Sequence, residues 1–298
     1  MAKPSSLPQR IIYLAQTILL LSLLAIFRLL PLSLASAIGG KLGEWIGPFL
    51  KWHRIAEFNL RYACPEWDEL KRQNVLRGMW NNLGRNFAEV PRLGHTSLAD
   101  RIKMDDTTRK LIGEARNENH PAIFFSAHIG NWELTPWFGY LGGTPLTLIY
   151  RHLNNPYIER IFYAIRRRYC DGLYPKGKTG ARALLKVLQK KQEVGLLVDQ
   201  KQNDGEPIEF FGHPAPTATA IAELAIKFDA VLYPSRCIRT KGCHFIAESQ
   251  HMEIPEGISA QELMTRINQK IESWIREHPE QWLWVHQRWG KISELKQD

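Results

Sequence analysis

The chain has 298 residues, 44% of them apolar, enough to bury a large core in one α/β domain with an appendage. Its four cysteines, Cys64, Cys170, Cys237 and Cys243, are few for the length and include no C-x-x-C, which indicates neither a disulfide framework nor a zinc ribbon and fits a reducing compartment. The formal net charge of +9 is local: residues 151–191 carry eleven Lys and Arg against Glu159 and Asp171 and leave the rest near neutrality. Such a stretch is commonly a solvated face, yet it also suits an acidic partner such as lipid phosphate, a carrier protein or nucleic acid.

From the N-terminus, Ile11 to Phe27 is apolar except for Gln16 and is followed by Arg28 and Pro31. Seventeen helical residues rise about 25 Å, short of the roughly 30 Å hydrocarbon core. Three readings compete: a tilted or monotopic anchor helix, a signal peptide ending at Ala35, Ser36 and Ala37, and a buried core helix. Arg28 and Pro31 interrupt the approach to the cleavage site, so residues 1–32 are expected to be a membrane anchor and 33–298 the catalytic domain. Lys3 and Arg10 on one side and Lys41, Lys51 and Arg54 on the other leave topology open.

Residues 33–92 read as helical, punctuated by Pro48, Pro65 and Pro91. Strands are expected at Ala122–Ser126, Leu146–Tyr150, Val194–Val198 and Val231–Pro234, short apolar runs bounded by turn residues or charges. Helix-length segments lie between or beside them, at 132–142, 155–169, 178–191 and 217–229, and an amphipathic helix is expected at 259–277. This alternation predicts an α/β fold with a mixed, mainly parallel sheet covered by helices. Ligands of such sheets collect at the carboxyl ends of strands, where His128, Arg151 and Asp199 fall.

In the run His128, Ile129, Gly130, Asn131, Trp132, Glu133, a five-residue separation would put His128 and Glu133 about 140° apart on a regular helix. His128 must therefore precede the helix, with Gly130 and Asn131 making a sharp turn and Asn131 or Thr135 capping the next helix. Glu133 near the positive helix end would stay ionised and orient His128, the usual arrangement of a carboxylate behind a histidine base. The bland alternative is a core histidine beside a structural glutamate, since the bare pattern is short. Metal binding is not indicated, because H-E-x-x-H is absent.

Gly172 to Thr179 matches the phosphate-loop pattern G-x-x-x-x-G-K-[ST], with Asp199 as a possible magnesium partner. Its context is wrong for an NTPase: Arg166–Asp171 precedes it where a buried strand belongs, and Pro175 removes a backbone donor. Lys176 and Lys178 could still meet an anion. Nucleic-acid binding lacks a recognised motif, and no G-x-S-x-G elbow supports a serine hydrolase. Trp274, Trp282, Trp284 and Trp289, near Arg276, His286 and Arg288, read as core plus rim, or as interfacial anchors.

Taken together, these residues resemble the lipid A biosynthesis (late) acyltransferases, of lauroyl/myristoyl type. The resemblance rests on the N-terminal anchor, Ala127–Glu133, Tyr150 and Arg151, Asn154–Pro156, Arg166–Arg168, Val198–Gln200, Phe210–Gly212 and Pro279–Trp289. It implies a glycerol-phosphate acyltransferase-like fold at the bacterial inner membrane, with the catalytic domain on the cytoplasmic face. It further implies transfer of an acyl chain from acyl carrier protein, the co-substrate, to a hydroxyl of a lipid A precursor glycolipid, with no metal, cofactor or nucleic acid. By the resemblance His128 and Glu133 are the catalytic pair, joined by Asp199 and an arginine of the 166–168 cluster, here Arg166. Asn131, Arg151, Arg168, Lys176, Lys178 and Gln200 are the expected substrate-binding residues. Glycerol-phosphate acyltransferases themselves usually have Asn and Asp where this chain has Ala127 and Glu133, and Pro255–Gly257 lies too far downstream to be their glycine box. The runner-up is an acyltransferase acting on another envelope glycolipid, of the phosphatidylinositol mannoside type.

Overall fold

The computed structural model describes residues 6–117 and 120–290; Lys3, one of the cations flanking the apolar run, lies outside them. Helix α1 covers Leu7–Leu29 and α2 covers Leu32–Ile46. The break falls at Leu30, held in extended backbone by the following Pro31. A single 3-10 turn at Gly47–Phe49 leads to α3 (Lys51–Ala63) and α4 (Glu69–Glu89), whose N-cap Asp68 accepts a hydrogen bond from the Lys71 amide.

Small residues weld α2 to α4. A Cβ on Gly39 would stand 2.5 Å from the Gly84 carbonyl oxygen, and one on Gly43 only 2.1 Å from that of Trp80, so the two backbones touch where glycine permits. Ala35 and Ser36 are buried in this seam, and the Ser36 hydroxyl donates to Glu89 at 2.8 Å. The tripeptide that resembles a signal-peptidase site lies within α2, with Ala35 and Ser36 packed against α4.

After a short α5 (Thr96–Ala99), the order is β1 (Ile102–Met104), α6 (Asp106–Asn117), β2 (Ala122–Ser126), α7 (Thr135–Leu141), β3 (Thr147–Tyr150) and α8 (Pro156–Arg166). Then come β4 (Gly172–Pro175), α9 (Lys178–Gln189), β5 (Glu193–Leu197), β6 (Glu206–Phe210), β7 (His213–Thr217), α10 (Ala220–Phe228), β8 (Val231–Arg239), β9 (Phe245–Ser249) and α11 (Ala260–Glu277). Seven strands form one sheet in the order β1-β9-β8-β2-β5-β3-β4, with every neighbouring pair parallel except the antiparallel β8 and β9. β6 and β7 make a separate antiparallel hairpin. The expected α/β fold, with a mixed and mainly parallel sheet covered by helices, is what the chain adopts.

β2 is central and buried along its whole length, flanked by β5 and β8, so its carboxyl end opens at the middle of the sheet. Apolar clusters on both faces of the sheet fix that position: Ile123 and Phe125 pack in one, Phe124 with Tyr233 in the other. β4 starts at the first glycine of the phosphate-loop match, so half of that string is extended sheet paired with β3 and cannot wrap a phosphate. The NTPase alternative has no cradle.

Candidate active site

Three segments meet above β2. After Ser126 and Ala127 the chain turns through His128, Ile129 and Gly130, then makes a 3-10 turn at Trp132–Leu134 before α7. Gly130 has φ +60°, and a Cβ there would lie 2.0 Å from the Cys237 carbonyl oxygen, so the turn admits only glycine. Its amide donates to Gln281 O at 3.1 Å, while its carbonyl accepts from Asn82 Nδ2 at 2.8 Å and Asn86 Nδ2 at 2.7 Å, both on α4. The expectation of a cap is corrected: the Asn131 carboxamide donates to buried Glu89 at 2.9 Å, and Thr135 is already helical. Glu89 in turn holds Arg239 of β8 through two hydrogen bonds, at 2.6 and 2.9 Å, and Arg239 reaches back to Asn82 at 2.8 Å. A buried ionic network therefore supports the turn from below.

The partner of His128 is Asp199, which corrects the role expected of Glu133. Asp199 Oδ1 lies 2.8 Å from His128 Nδ1, and its Oδ2 accepts from the His128 amide at 2.9 Å and from Trp282 Nε1 at 2.8 Å. The physical reason is topological: β5 is parallel and adjacent to β2, so the residues leaving their carboxyl ends are neighbours. Burial acts to raise the Asp199 pKa, but the charge of His128, hydrogen bonds from its ring and amide, and His286 outweigh it and hold the carboxyl far below its ordinary value. With Nδ1–H given to this carboxylate, Nε2 is the ring nitrogen of His128 left to face a substrate, the position a general base uses.

That Nε2 lies 3.2 Å from Gln200 Nε2, which is also 3.2 Å from Nε2 of His286. The carboxamide carries two hydrogens, one for each imidazole nitrogen. Burial first, then the charge of His128, lowers His286 to about 4, with Asp199 pulling the other way. An unfolded histidine titrates near 6.5, so between pH 6.5 and 4 the unfolded chain binds a proton that the native site refuses. Stability is therefore expected to fall with acidification across that window, by roughly 3 kcal/mol in full. Asp199 does not contribute to this loss, because its lowered pKa keeps its stabilisation intact until pH falls through the ordinary carboxylate range. Thermal unfolding of the parent and of His286→Gln between pH 7 and 5 checks the effect, which the substitution should flatten.

Glu133 is engaged elsewhere. Arg166, the last residue of α8, grips it with both Nε, at 2.9 Å, and Nη2. Burial acts to lower the Arg166 pKa, but the Glu133 carboxylate more than reverses it and keeps the guanidinium firmly charged. Arg167 and Arg168 are exposed, so Arg166 is the residue of the arginine cluster that meets Glu133. The pair adjoins the histidine through Trp132, whose ring centre is 5.3 Å from that of His128.

Arg151 leaves β3 exposed, and Lys176, after β4, reaches Gln202 Oε1 at 2.5 Å, while Lys178 opens α9 at the surface. These cations rim the carboxyl edge without touching His128.

Residues that the sequence reading left unassigned complete the site. Trp282 bridges Ile129 and bonds Asp199, Leu283 N donates to His128 O at 3.0 Å, and His286 faces Gln200. Trp282 and Trp284 are fully buried and Trp289 nearly so, so the aromatic tail is core and not an interfacial anchor. Its signal was present in the polar residues set among those tryptophans. Glu89 and Arg239 gave none, since their pairing spans 150 residues.

Fold and site thus define a class: an α/β protein whose central strand leads into an imidazole backed by a buried carboxylate. Residues 5–291 match the bacterial lipid A biosynthesis acyltransferase family, and the chain belongs to that family. It is 26% identical over 278 residues to a lipid A biosynthesis acyltransferase of Haemophilus influenzae, covering 89% of this chain and 84% of the relative. It is 21% identical over 274 residues to lipid A biosynthesis acyltransferase 2 of Shigella flexneri, covering 89% and 86%. Acyl transfer in lipid A biosynthesis is the reaction class this membership assigns.

Proposed function

We propose that the chain moves a fatty acyl group from acyl carrier protein to a hydroxyl of a lipid A precursor, at the cytoplasmic face of the bacterial inner membrane, with residues 1–32 contributing the anchor. The observation that carries the mechanism is the Asp199–His128 pair. An alcohol is barely ionised at neutral pH, so His128 Nε2, once Gln200 gives way, takes the hydroxyl proton as its oxygen attacks the thioester. Such assistance is typically worth about 10² to 10⁴ in rate. Asp199 holds the tautomer and stabilises the imidazolium, which then returns its proton to the departing thiolate. Arg166, oriented by Glu133, uses two of its nitrogens on that carboxylate and keeps Nη1 for the developing oxyanion or a substrate phosphate. Direct transfer is favoured over an enzyme thioester, because burial pushes the Cys64 and Cys170 thiols up to about 12 and raises Cys237 as well.

The donor side of the reading rests on charge. Lys178, Arg182, Lys186 and Lys190 recur every fourth residue, the first three on α9 and the last at its C-cap, and all are exposed, which makes one basic stripe beginning at the carboxyl edge of the sheet. An acidic carrier protein is expected to dock there, so raising salt should raise its KM while leaving kcat unchanged. Arg182→Glu with Lys186→Glu should raise that KM about tenfold at low salt and abolish most of the salt dependence. A KM for the carrier thioester indifferent to both, or equal use of a coenzyme A thioester, would remove the carrier protein from this reading.

A further inference from the structure

Helix α1 has the length and mean hydropathy of a membrane span, yet one stripe of it packs against the rest of the protein. Tyr13, Thr17, Leu20, Leu24 and Phe27 fall on a single helical stripe, and the last four are buried against the domain. About 21 Å of helix separates the first from the last of these. The contact is polar in its N-terminal part: Asn155, the N-cap of α8, donates to Tyr13 O at 2.9 Å and to Gln16 Oε1 at 3.2 Å, and pairs with Thr17 Oγ1 at 3.3 Å. At the far end, Arg92 Nη2 donates to Arg28 O at 2.7 Å and Leu30 O at 3.0 Å. Arg151, His152, Asn154 and Arg160, all exposed, sit within five residues of Asn155. If α1 crossed a bilayer, the bonds from Asn155 to its N-terminal half would draw these groups towards hydrocarbon, which strongly disfavours charged side chains.

The exposed side of the same region is apolar and continues beyond α1. Ile11, Ile18, Ile26 and Leu29 face outward on α1, the last 85% exposed. Across the break, Leu34, Ile38, Leu42 and Trp45 recur on the outer stripe of α2, followed by Phe49 and Trp52, with Trp45 70% and Phe49 89% exposed. The opposite stripe of α2 is the glycine seam with α4, so these side chains are held outward on a rigid support. No Asp or Glu occurs before Glu44, whereas Arg10, Arg28, Lys41, Lys51 and Arg54 are all exposed. The Lys51 ammonium lies 5.4 Å from the Trp52 ring centre, a pairing suited to the headgroup layer.

We infer that the protein sits on one leaflet of a phospholipid bilayer through a continuous face made by α1, the outer stripe of α2, Phe49 and Trp52, and that α1 lies in the leaflet without crossing it. The inference rests on the membrane reading above and adds its geometry. Because α4 grips α2 and also holds the Gly130 carbonyl, the leaflet and the turn bearing His128 belong to one rigid unit. The site then stands at a fixed height over the lipid that supplies its acceptor.

Full-length protein on sealed vesicles of zwitterionic and anionic phospholipid tests this, because all four native cysteines are buried and a new one reports its own position. Ser6→Cys, at the start of α1, and Glu256→Cys, in a distant exposed turn, should react with a membrane-impermeant maleimide to within about twofold without detergent. A fluorophore on Phe49→Cys should shift to the blue on adding vesicles and be quenched by lipids spin-labelled near the headgroup. Labelling of Ser6→Cys only after detergent would show α1 to span and overturn the inference. An unchanged fluorophore at residue 49 would remove α2 and Phe49 from the face and overturn it as well. Protein left in the supernatant would instead sink the membrane reading itself.

Discussion

Asp199→Asn is expected to lower kcat by about 10³ to 10⁴ with little change in either KM, the scale seen when a carboxylate behind a catalytic histidine becomes an amide. The reason lies in the tautomer. Asp199 now takes Nδ1–H through Oδ1, and hydrogen bonds from the His128 amide and Trp282 Nε1 through Oδ2. An asparagine can keep only one oxygen on this side. Trp282 and the backbone amide both donate, so they claim that oxygen and leave the amide NH₂ facing Nδ1. His128 would then carry its proton on Nε2 and offer the substrate a donor where an acceptor is needed. Rates over a pH range, with defined thioester and acceptor, check both the size of the loss and its independence of KM. Glu133→Gln should behave differently, because its carboxylate serves Arg166: half of a bidentate ion pair is lost while the Asp199–His128 hydrogen bond stays.

Glu89→Ala carries the largest expected cost to stability. Glu89 is fully buried and binds Arg239, Ser36 and Asn131, so its removal leaves the Arg239 guanidinium without its carboxylate in a site closed to water. Breaking a buried pair from one side typically costs about 3–5 kcal/mol, far more than an exposed pair would. In a chain of this size that corresponds to a fall in Tm on the order of 10 °C. Activity should fall too at temperatures where the variant is folded, since Arg239 and Asn131 both brace the turn that presents His128. Thermal unfolding in detergent measures the first effect, and kcat well below the new Tm measures the second. Glu89→Gln, which keeps an acceptor for Arg239, should restore part of each.

Much of the scaffold was readable because burial leaves a periodic trace. The runs at Ala122–Ser126 and Val194–Val198 are apolar enough to announce strands, and both ends that carry His128 and Asp199 were placed from that pattern alone. Strands with weaker apolar character were missed. β4 was hidden in a basic, glycine-rich stretch, β1 is three residues long, and β6–β7 includes Pro207, Pro214 and Pro216, tolerated because this hairpin lies outside the main sheet. β8 runs on past Pro234 to Arg239 because Arg236 finds Glu248 and Glu277, and Arg239 finds Glu89, pairings that no local pattern reveals.

The same distinction explains the site. Sequence proximity suggested Glu133 as the acid behind His128, yet the acid comes from the next strand, 71 residues on, because parallel neighbours bring their carboxyl ends together. Glu133 was freed by that arrangement to hold an arginine from a different helix. Likewise His286 and Trp282 reach the histidine only because the tail pairs with the turn after β2, through Ile129 and the carbonyl of His128.

The measurement that bears most directly on the whole account is incubation of the full-length protein with acyl carrier protein loaded with chains of defined length and a tetra-acylated lipid A precursor, read by mass spectrometry. The parent protein should add the mass of one acyl group, with loss of water, for at least one chain, and His128→Ala should reduce that addition by about a hundredfold or more. No gain with any chain, or an equal gain from His128→Ala, would contradict it.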